Sequence, residues 1–333
     1  MTIGRKVIFT TLILLSCTKF FGQDVHFSTI STSDMFLNPA KTAFSPYDFK
    51  VGAAYRNQWQ TISVSGYNTS LLSAEARLFF SRQYRHSFGI GLMFMQDVAG
   101  SLDFGEQQIS LSVSYNKQLT KNHEQFLSLG LSFGRTTWGY DATNADFGRF
   151  DSDDEGILLS KISTFDISAG VHWQISPLEE QNISAGVAVF HINNPTYSFY
   201  DNTSISLMPR YTLYATYLFP TSEQSKMQSI LRFNKQNDNY ELVAGLEWIF
   251  SLSTTVFDIE NIAAGIFYRS NDAMIITLSY RFNELTAGLA YDVNLSSLSK
   301  VSHTYGAVEL WASYGINRFK YKRQTKTIPC PTF

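Results

Sequence analysis

The residues that come nearest to a catalytic set are Asp166, Ser168 and His172, an acid, a hydroxyl and an imidazole close together in the chain. Such a set performs acyl transfer in hydrolases when the three side chains touch. The alternation of apolar and polar residues around them predicts one strand, along which they are spread over about 7 to 13 Å. That spread is too large for a triad, so we expect no catalytic residue and no enzyme.

A second candidate is the acidic run from Asp151 to Glu155, which precedes Gly156. Acids at alternate positions before a glycine are typical of the first half of a calcium loop. The position that should hold a bidentate glutamate is Ile162, and the six histidines show no metal-ligand spacing. We expect a solvated acidic loop with no metal or cofactor, and keep a calcium site shared with other loops as the alternative.

A third candidate is the C-terminal tail, where basic residues occur without an acid. Its candidate partner-binding residues are Lys320, Lys322, Arg323, Lys326 and Cys330. A basic tail can dock on an acidic protein surface, and the alternative is a role in solubility and folding. Cys330 is either a contact with a partner or an inert thiol.

Between these candidates, most of the chain alternates apolar and polar residues. This period of two predicts strands with one apolar and one polar face. Fourteen such segments can be placed, of about the length that a tilted membrane strand needs. They lie at residues 49–60, 67–80, 86–97, 105–119, 125–138, 163–176, 181–193, 209–219, 226–235, 239–250, 258–269, 273–282, 284–293 and 304–319.

The N-terminus indicates export. Arg5 and Lys6 precede an apolar run and small residues up to Gly22, which predicts a signal peptide at residues 1–22. Its removal takes Cys17 away and leaves Cys330 without a partner for an intramolecular disulfide. No other apolar run is long enough for a helical span, so a closed β-barrel in the outer membrane is the predicted structure. The alternative is a soluble secreted β-sandwich, with shorter strands.

The connections predict the orientation of this barrel. The second, fourth, sixth and eighth gaps are short and polar, whereas the third, fifth and seventh are longer or richer in Gly and Asp. Outer-membrane barrels have short periplasmic turns and longer outer loops, so we expect both termini in the periplasm. The predicted layout is a periplasmic lead-in or plug segment at 23–48, the barrel at 49–319 and the basic periplasmic tail at 320–333.

The predicted inner face carries charges of both signs. They are Arg56, Glu75, Arg77, Asp166, Glu241, Glu247, Arg269, Arg281, Asp292 and Glu309. A selective pore favours a ring of one sign, so mixed signs indicate internal salt bridges. A diffusion channel or transporter for a small solute is the alternative function. The net charge of -2 gives no reason to expect nucleic-acid binding.

Aromatic residues near the predicted strand ends, Trp59 and Trp138 among them, are typical of the two girdles at the lipid interfaces. For Trp59 the alternative is a site that binds a partner. Asn38 and Pro39, before the first strand, are either a rigid lead-in or part of a segment that binds a partner.

An ordered set of short motifs spans the mature chain. They are Gln23-Asp24-Val25-His26-Phe27-Ser28, Asn38-Pro39-Ala40, Tyr55-Arg56-Asn57-Gln58-Trp59 and Cys330-Pro331-Thr332-Phe333. This set resembles the PorP/SprF family of type IX secretion system outer-membrane proteins of Bacteroidota. Val25 and His26 stand where the family usually has Pro-Gln.

The resemblance implies a non-enzymatic accessory barrel that works with the translocon and the periplasmic ring of the secretion system. It also implies a cargo, namely large surface adhesins with a type B C-terminal domain, of which gliding-motility adhesins are the best-known class. The expected partners are therefore these adhesins, the secretion components and outer-membrane lipid.

Overall fold

The computed structural model describes eleven ranges of the chain. They are residues 24–30, 33–60, 66–81, 86–100, 103–120, 124–141, 159–178, 180–198, 206–253, 259–296 and 299–317. The predicted signal peptide, the predicted acidic loop and the predicted basic tail lie outside these ranges. Among the described residues, no helix has the length and apolarity needed to cross a membrane.

Fourteen strands form one closed antiparallel barrel, in which each strand pairs with its chain neighbours and the first pairs with the last. This confirms the predicted all-β fold and strand number. The strands are β1 (Phe49–Gln58), β2 (Tyr67–Ser81), β3 (His86–Ala99), β4 (Phe104–Thr120), β5 (Gln125–Asp141), β6 (Leu159–Ile175), β7 (Asn182–Phe190), β8 (Arg210–Ser222), β9 (Ser225–Gln236), β10 (Asn239–Ser253), β11 (Ile259–Arg269), β12 (Ala273–Phe282), β13 (Leu285–Asn294) and β14 (Tyr305–Ile316).

Strand bounds agree with the sequence prediction to within a few residues, and the largest difference is at the start of β6. β6 begins at Leu159 rather than 163 because its pairing with β5 continues as far as Asp141. β7 ends at Phe190 rather than 193 because His191 has a φ of 58°, outside the extended region.

Among the described residues, three short helices are not part of the barrel wall. α1 (Asp34–Leu37) and a 3-10 helix (Pro39–Lys41) precede β1, and α2 (Ser299–Ser302) lies between β13 and β14. The first two lie inside the barrel and belong to the candidate site.

The outer surface of the wall is apolar. Leu72, Leu92 and Ile109, for example, face outward and are each more than half exposed. Because successive residues of a strand point to opposite faces, every second position adds to this apolar band. An outward apolar band is what a membrane-spanning barrel presents to lipid.

Aromatic side chains cluster at both ends of the band. At one end they form stacked pairs on the outer face, Tyr217 with Phe219, Trp248 with Phe250 and Tyr280 with Phe282. At the other end the outward-facing aromatic residues include Tyr55, Tyr67, Phe104, Tyr211, Tyr240, Tyr268 and Tyr305. Trp138 is an exception to the girdle prediction, because it points into the barrel, is buried, and packs edge-on against Tyr197.

The barrel has two mouths, which we name by the ends of the wall. The near mouth is where β1 begins and β14 ends, and the far mouth is the opposite one. Every connection at the near mouth is short, the longest being residues 176–181, whereas the far mouth carries the long connections 142–158 and 191–209. Short connections also occur at the far mouth, at 237–238 and 270–272, as the sequence indicated.

Candidate functional site

The lumen of the barrel contains the segment that precedes β1. We call its described residues, 24–30 and 33–48, the luminal strap. Strap residues contact side chains on opposite parts of the wall, such as Glu75 of β2 and Gln236 of β9. Phe27, Asn38 and Thr42 are completely buried. The strap therefore fills the lumen where these contacts lie.

Local sequence signals fold the strap into two short turns of helix. The Ser33 hydroxyl accepts a hydrogen bond from the Phe36 amide and caps α1. The Asn38 side chain accepts one from the Ala40 amide at 2.8 Å and caps the 3-10 helix, where Pro39 occupies the first turn. Ser and Asn at such positions satisfy amide groups that the helix leaves unpaired, and proline is well tolerated there.

The C-terminal part of the strap lies against a surface made of glycines. On the inner faces of β3, β5 and β6, a Cβ atom at Gly89, Gly91, Gly130 or Gly170 would overlap strap atoms. The overlapped groups belong to Thr42, Met35, the Pro39–Ala40 peptide and Asn38 respectively. Only a residue without a side chain permits this close backbone approach, so the wall and the strap are matched in shape.

Asn38 is the most strongly bonded side chain of this region. Its amide donates to the carbonyl oxygens of Val171 and Val187 at 3.0 and 3.2 Å, and it lies 3.4 Å from the Tyr214 hydroxyl. An amide with this many partners in a buried place fixes the position of its segment. The structure thus places Asn38 and the adjoining Pro39 inside the lumen, against the wall.

Other polar contacts hold the end of the strap that leads into β1. Glu75 accepts a hydrogen bond from the Ala43 amide at 2.6 Å. Asp34 pairs with both Lys41 and Lys50, each at 2.5 Å, so one strap carboxylate joins the strap to the first strand. Ser114 donates to the Thr42 carbonyl at 2.7 Å.

A buried charge network holds Ser28, which lies in the N-terminal part of the strap, residues 24–30. Arg56 pairs with Asp292 at 2.9 Å and with Glu309 at 3.4 Å, and Arg269 pairs with Asp292 at 2.9 Å. Ser28 joins the network, because its hydroxyl donates to Asp292 and its amide to Glu309, both at 2.6 Å. The predicted internal salt bridges are therefore present, and the strap is part of them.

The first described residue, Asp24, is bound by three wall residues. Gln236 accepts from its amide at 3.0 Å and donates to its carboxylate at 2.8 Å. His191 lies 2.6 Å from the same carboxylate through Nε2, while its Nδ1 lies 2.9 Å from Asp166. Arg210 adds a contact at 3.4 Å. One acidic strap residue is thus recognised through both its backbone and its side chain.

Asp24 and His191, the two partners that titrate, shift one another's pKa. Burial alone raises the pKa of Asp24, but the charges of His191 and Arg210 hold that pKa well below its usual value. His191 follows the last residue of β7, and burial alone lowers its pKa. The Asp24 charge and the hydrogen bonds to Asp166 and Asp24 outweigh burial and raise the pKa of His191 to about 9. At neutral pH the pair is therefore an ion pair.

The strap runs through the barrel from one mouth to the other. Asp24 is bound by Gln236, the last residue of β9 at the far mouth, whereas the Asp48 amide donates to Ile316, the last residue of β14 at the near mouth. Asp24 and Asn317 consequently lie toward opposite mouths. The described part of the chain therefore crosses the lumen before β1 begins.

The other predicted site residues are not gathered into one place. Trp59 follows β1 at the far mouth and packs edge-on against Tyr67, with ring centroids 5.1 Å apart. It therefore lies at the rim of the far mouth and not beside Asn38. Lys320, Lys322, Arg323, Lys326 and Cys330 lie outside the described residues, as do Asp151 and Glu155.

The residues first considered for catalysis are bound to other groups. His172 shares a hydrogen bond at 2.8 Å with the Tyr214 hydroxyl, and Asp166 bonds to His191. Ser168 donates to Asp166 at 3.5 Å, so the pair that does form leaves out His172. Within the part of the chain that the structure describes, no group of His, Cys, Asp and Glu side chains is arranged to hold a metal ion.

Sequence reasoning did not identify Ser28, His191, Arg210 or Gln236 as site residues. These residues lie on the N-terminal part of the strap, on β8 and β9, and in the connection after β7. Arg210 lies directly opposite Gln236 in the β8–β9 pair and opposite Phe190, the neighbour of His191, in the β7–β8 pair. Ser28 instead meets Arg56, Asp292 and Glu309, which lie on both sides of the β1–β14 seam. The glycines at alternate positions of β3 were a usable signal, because small inward residues indicate close approach of another backbone.

Comparison with known proteins gives one family and one fold. The model of a family described as type IX secretion system membrane protein PorP/SprF matches residues 19–314. No curated protein sequence matches the chain.

Similar solved structures are outer-membrane barrels. The toluene transporter TbuX of Ralstonia pickettii is 13% identical, with a TM-score of 0.49, over 86% of this chain and 94% of that chain. A deltaS2S3 mutant of the monoaromatic hydrocarbon channel TodX is 10% identical, with a TM-score of 0.50, over 87% and 95%. At these identities the likeness is one of fold alone.

Proposed function

This chain belongs to the PorP/SprF family of type IX secretion system membrane proteins, and on that basis we propose that it assists the export or surface attachment of large adhesins. It acts as a non-enzymatic component of the outer membrane. Its cargo has a type B C-terminal domain, as gliding-motility adhesins do. The family match over residues 19–314 is the observation that carries the proposal.

The contents of the lumen support a structural rather than a catalytic role. The buried charges on the wall pair with one another, as Arg56 does with Asp292, or with the strap, as Arg210 does with Asp24. Paired charges of both signs brace a barrel and do not form the one-sign ring of a selective pore. A small-solute channel, the alternative function, needs a path that the strap occupies.

Connection lengths support an orientation. The near mouth faces the periplasm, because its connections are short throughout, and the far mouth with its long connections faces outside. Asn317 and the basic tail then lie in the periplasm, where Lys320, Lys322, Arg323 and Lys326 dock on an acidic surface of the periplasmic ring. The start of the strap, at Asp24, lies at the outer mouth.

The experiment is deletion of the gene followed by complementation. We expect loss of a large surface adhesin from the cell exterior, with uptake of small solutes unchanged, and recovery of the adhesin with the intact gene. Pull-down of the native protein should bring down periplasmic secretion components. Unchanged adhesin display together with impaired solute uptake would replace this proposal by the channel.

A further inference from the structure

The two parts of the strap are held by different kinds of contact. Residues 33–48 fit against wall glycines, where any side chain would overlap them. Residues 24–30 have no such glycine contact among the described residues. They are held mainly by the tips of charged and amide side chains. Contacts of this second kind can be exchanged for equivalent groups of another chain.

These wall side chains form a continuous track along residues 24–28. Gln236, His191 and Arg210 bind the Asp24 carboxylate. Arg232 then donates to the Phe27 carbonyl at 3.1 Å. The next strap residue, Ser28, is bound by Asp292, Glu309 and Arg56.

An apolar pocket lies between the two polar ends of the track. The Phe27 ring is completely buried among Met35, Leu71, Met93 and Trp311. The track therefore selects three features of an extended peptide: a carboxylate, an aromatic ring three residues later, and a hydroxyl directly after the ring. This is recognition of side chains and backbone together, as in other peptide-binding sites.

Among the described residues, the carboxylate-binding end of the track lies nearest to the far mouth. Asp24, its outermost occupant, keeps 16% of its side-chain surface exposed, and a gap beside it is lined by Phe36, Glu106, His191 and Arg210. A polypeptide that arrives at the far mouth meets the carboxylate-binding end first.

We infer that residues 24–30 occupy, in cis, a binding site for an extended segment of a partner protein that carries an acidic residue three positions before an aromatic residue and a serine or threonine. Resting on the proposed function, the partner is a surface polypeptide that enters from the far mouth and displaces the strap's own N-terminal part. Residues 33–48 stay in place, because the glycine surface holds them by shape.

The strap's own segment has a large advantage over a free peptide. A tethered ligand acts at an effective concentration that reaches the millimolar range for short linkers. The wild-type protein should therefore bind free peptide weakly. A variant whose own segment lacks the carboxylate and the ring competes less well for the site. It should bind the free peptide at least about tenfold more tightly, which corresponds to about 1.4 kcal/mol of binding free energy.

The test uses the full chain in detergent micelles, with labelled Asp-Val-His-Phe-Ser-Thr-Ile, the sequence of residues 24–30, as the probe. The Asp24→Asn, Phe27→Ala double variant should bind this peptide, measured by fluorescence anisotropy. A matched peptide with Asn and Ala at those two positions should bind at least about tenfold more weakly. Adding Arg232→Met, which removes the donor to the Phe27 carbonyl, should weaken the binding of both peptides alike, whereas adding His191→Gln, which removes the cation nearest the carboxylate, should reduce the preference.

Heat-modifiable migration shows that each variant is folded. The inference is overturned if the folded double variant binds both peptides equally or binds neither. Either result leaves the family role in adhesin display intact, because that role is measured in cells by surface display. Conversely, if the double variant binds the peptide as expected while cells that lack the gene still display the adhesin normally, the proposed function is refuted and the peptide-binding site stands.

Discussion

Gly130 of β5 lies directly beneath the peptide bond that joins Pro39 to Ala40, in backbone-to-backbone contact. A side chain at residue 130 would overlap the Ala40 amide nitrogen, which the 3-10 helix and Asn38 hold in place. Wall and strap are therefore complementary at the level of the main chain.

Gly130→Ala should detach or displace the strap. Overpacking a filled space costs about 1 to 3 kcal/mol, and here the obstructing atoms are backbone atoms that cannot rotate away. We expect faster hydrogen exchange of the amides at residues 33–43 and a lower unfolding midpoint in urea.

Gly134→Ala is the matched control, since Gly134 lies on the same strand and the same face. A Cβ there would meet its nearest atom at 3.4 Å, an ordinary contact. Its exchange rates should stay near wild type. Equal effects of the two substitutions would show that the strap does not depend on this close approach.

Arg56→Met should strongly destabilise the protein. Arg56 is 2% exposed and pairs with Asp292 and Glu309, so its loss leaves buried carboxylates with fewer partners. Removing one member of a buried ion pair costs about 3 to 5 kcal/mol. Urea unfolding of the protein in lipid vesicles, followed by tryptophan fluorescence, measures this change.

Lys226→Met provides the comparison, because Lys226 pairs with Glu180 at the surface, where the two side chains keep 30% and 50% of their surface exposed. A surface pair contributes about 0 to 1 kcal/mol. If Arg56→Met costs no more than Lys226→Met, the buried network does not brace the barrel.

Raising the pH should release the N-terminal part of the strap. The pKa of His191 is raised from 6.5 to about 9 in the folded protein, so its stabilising charge is fully present below pH 6.5 and is lost as the pH rises through 9. At 1.36 kcal/mol per pKa unit, this shift contributes roughly 3 kcal/mol to the free energy of unfolding.

The groups that face His191 are Asp24, Asp166, Arg210 and Glu106. Hydrogen exchange of residues 24–30, corrected for the intrinsic effect of pH, should increase between pH 7 and pH 10. His191→Gln keeps a hydrogen-bonding side chain without the titration, and should remove this increase. A step of equal size in the variant would assign it to another group.

Cysteine labelling should reveal the orientation of the barrel. Asp238 lies in an exposed turn at the far mouth and Asn283 in an exposed turn at the near mouth. In a Cys330→Ser background, a membrane-impermeant maleimide added to whole cells should label Asp238→Cys and not Asn283→Cys. Both should react after lysis. The reverse pattern would place the near mouth outside.

The wall could be predicted from sequence because alternation encodes which face a residue occupies. Arg56, Asp292 and Glu309 were placed inside on that basis, and all three are buried there. Strand ends were predicted well where turn residues mark them, and less well at β6, where pairing with β5 extends past the alternating stretch.

The contacts inside the lumen could not be predicted, since alternation does not say which inward residues meet. Asp166 was considered beside His172 because they share a strand, yet its partner is His191 from the next connection. Such pairs depend on strand register. The position of Asp24 was not predicted either, because no local signal tells that this residue reaches the far mouth.

The seam between β1 and β14 closes a ring around a chain segment that is continuous with β1 itself. A segment held at both mouths cannot be threaded into a finished ring without passing its free end through the narrow interior. We therefore expect the wall to close around its own N-terminal part, so that assembly of the barrel and filling of its lumen occur together. The number of strands sets the circumference of the barrel, and the strap fills the interior that fourteen strands enclose.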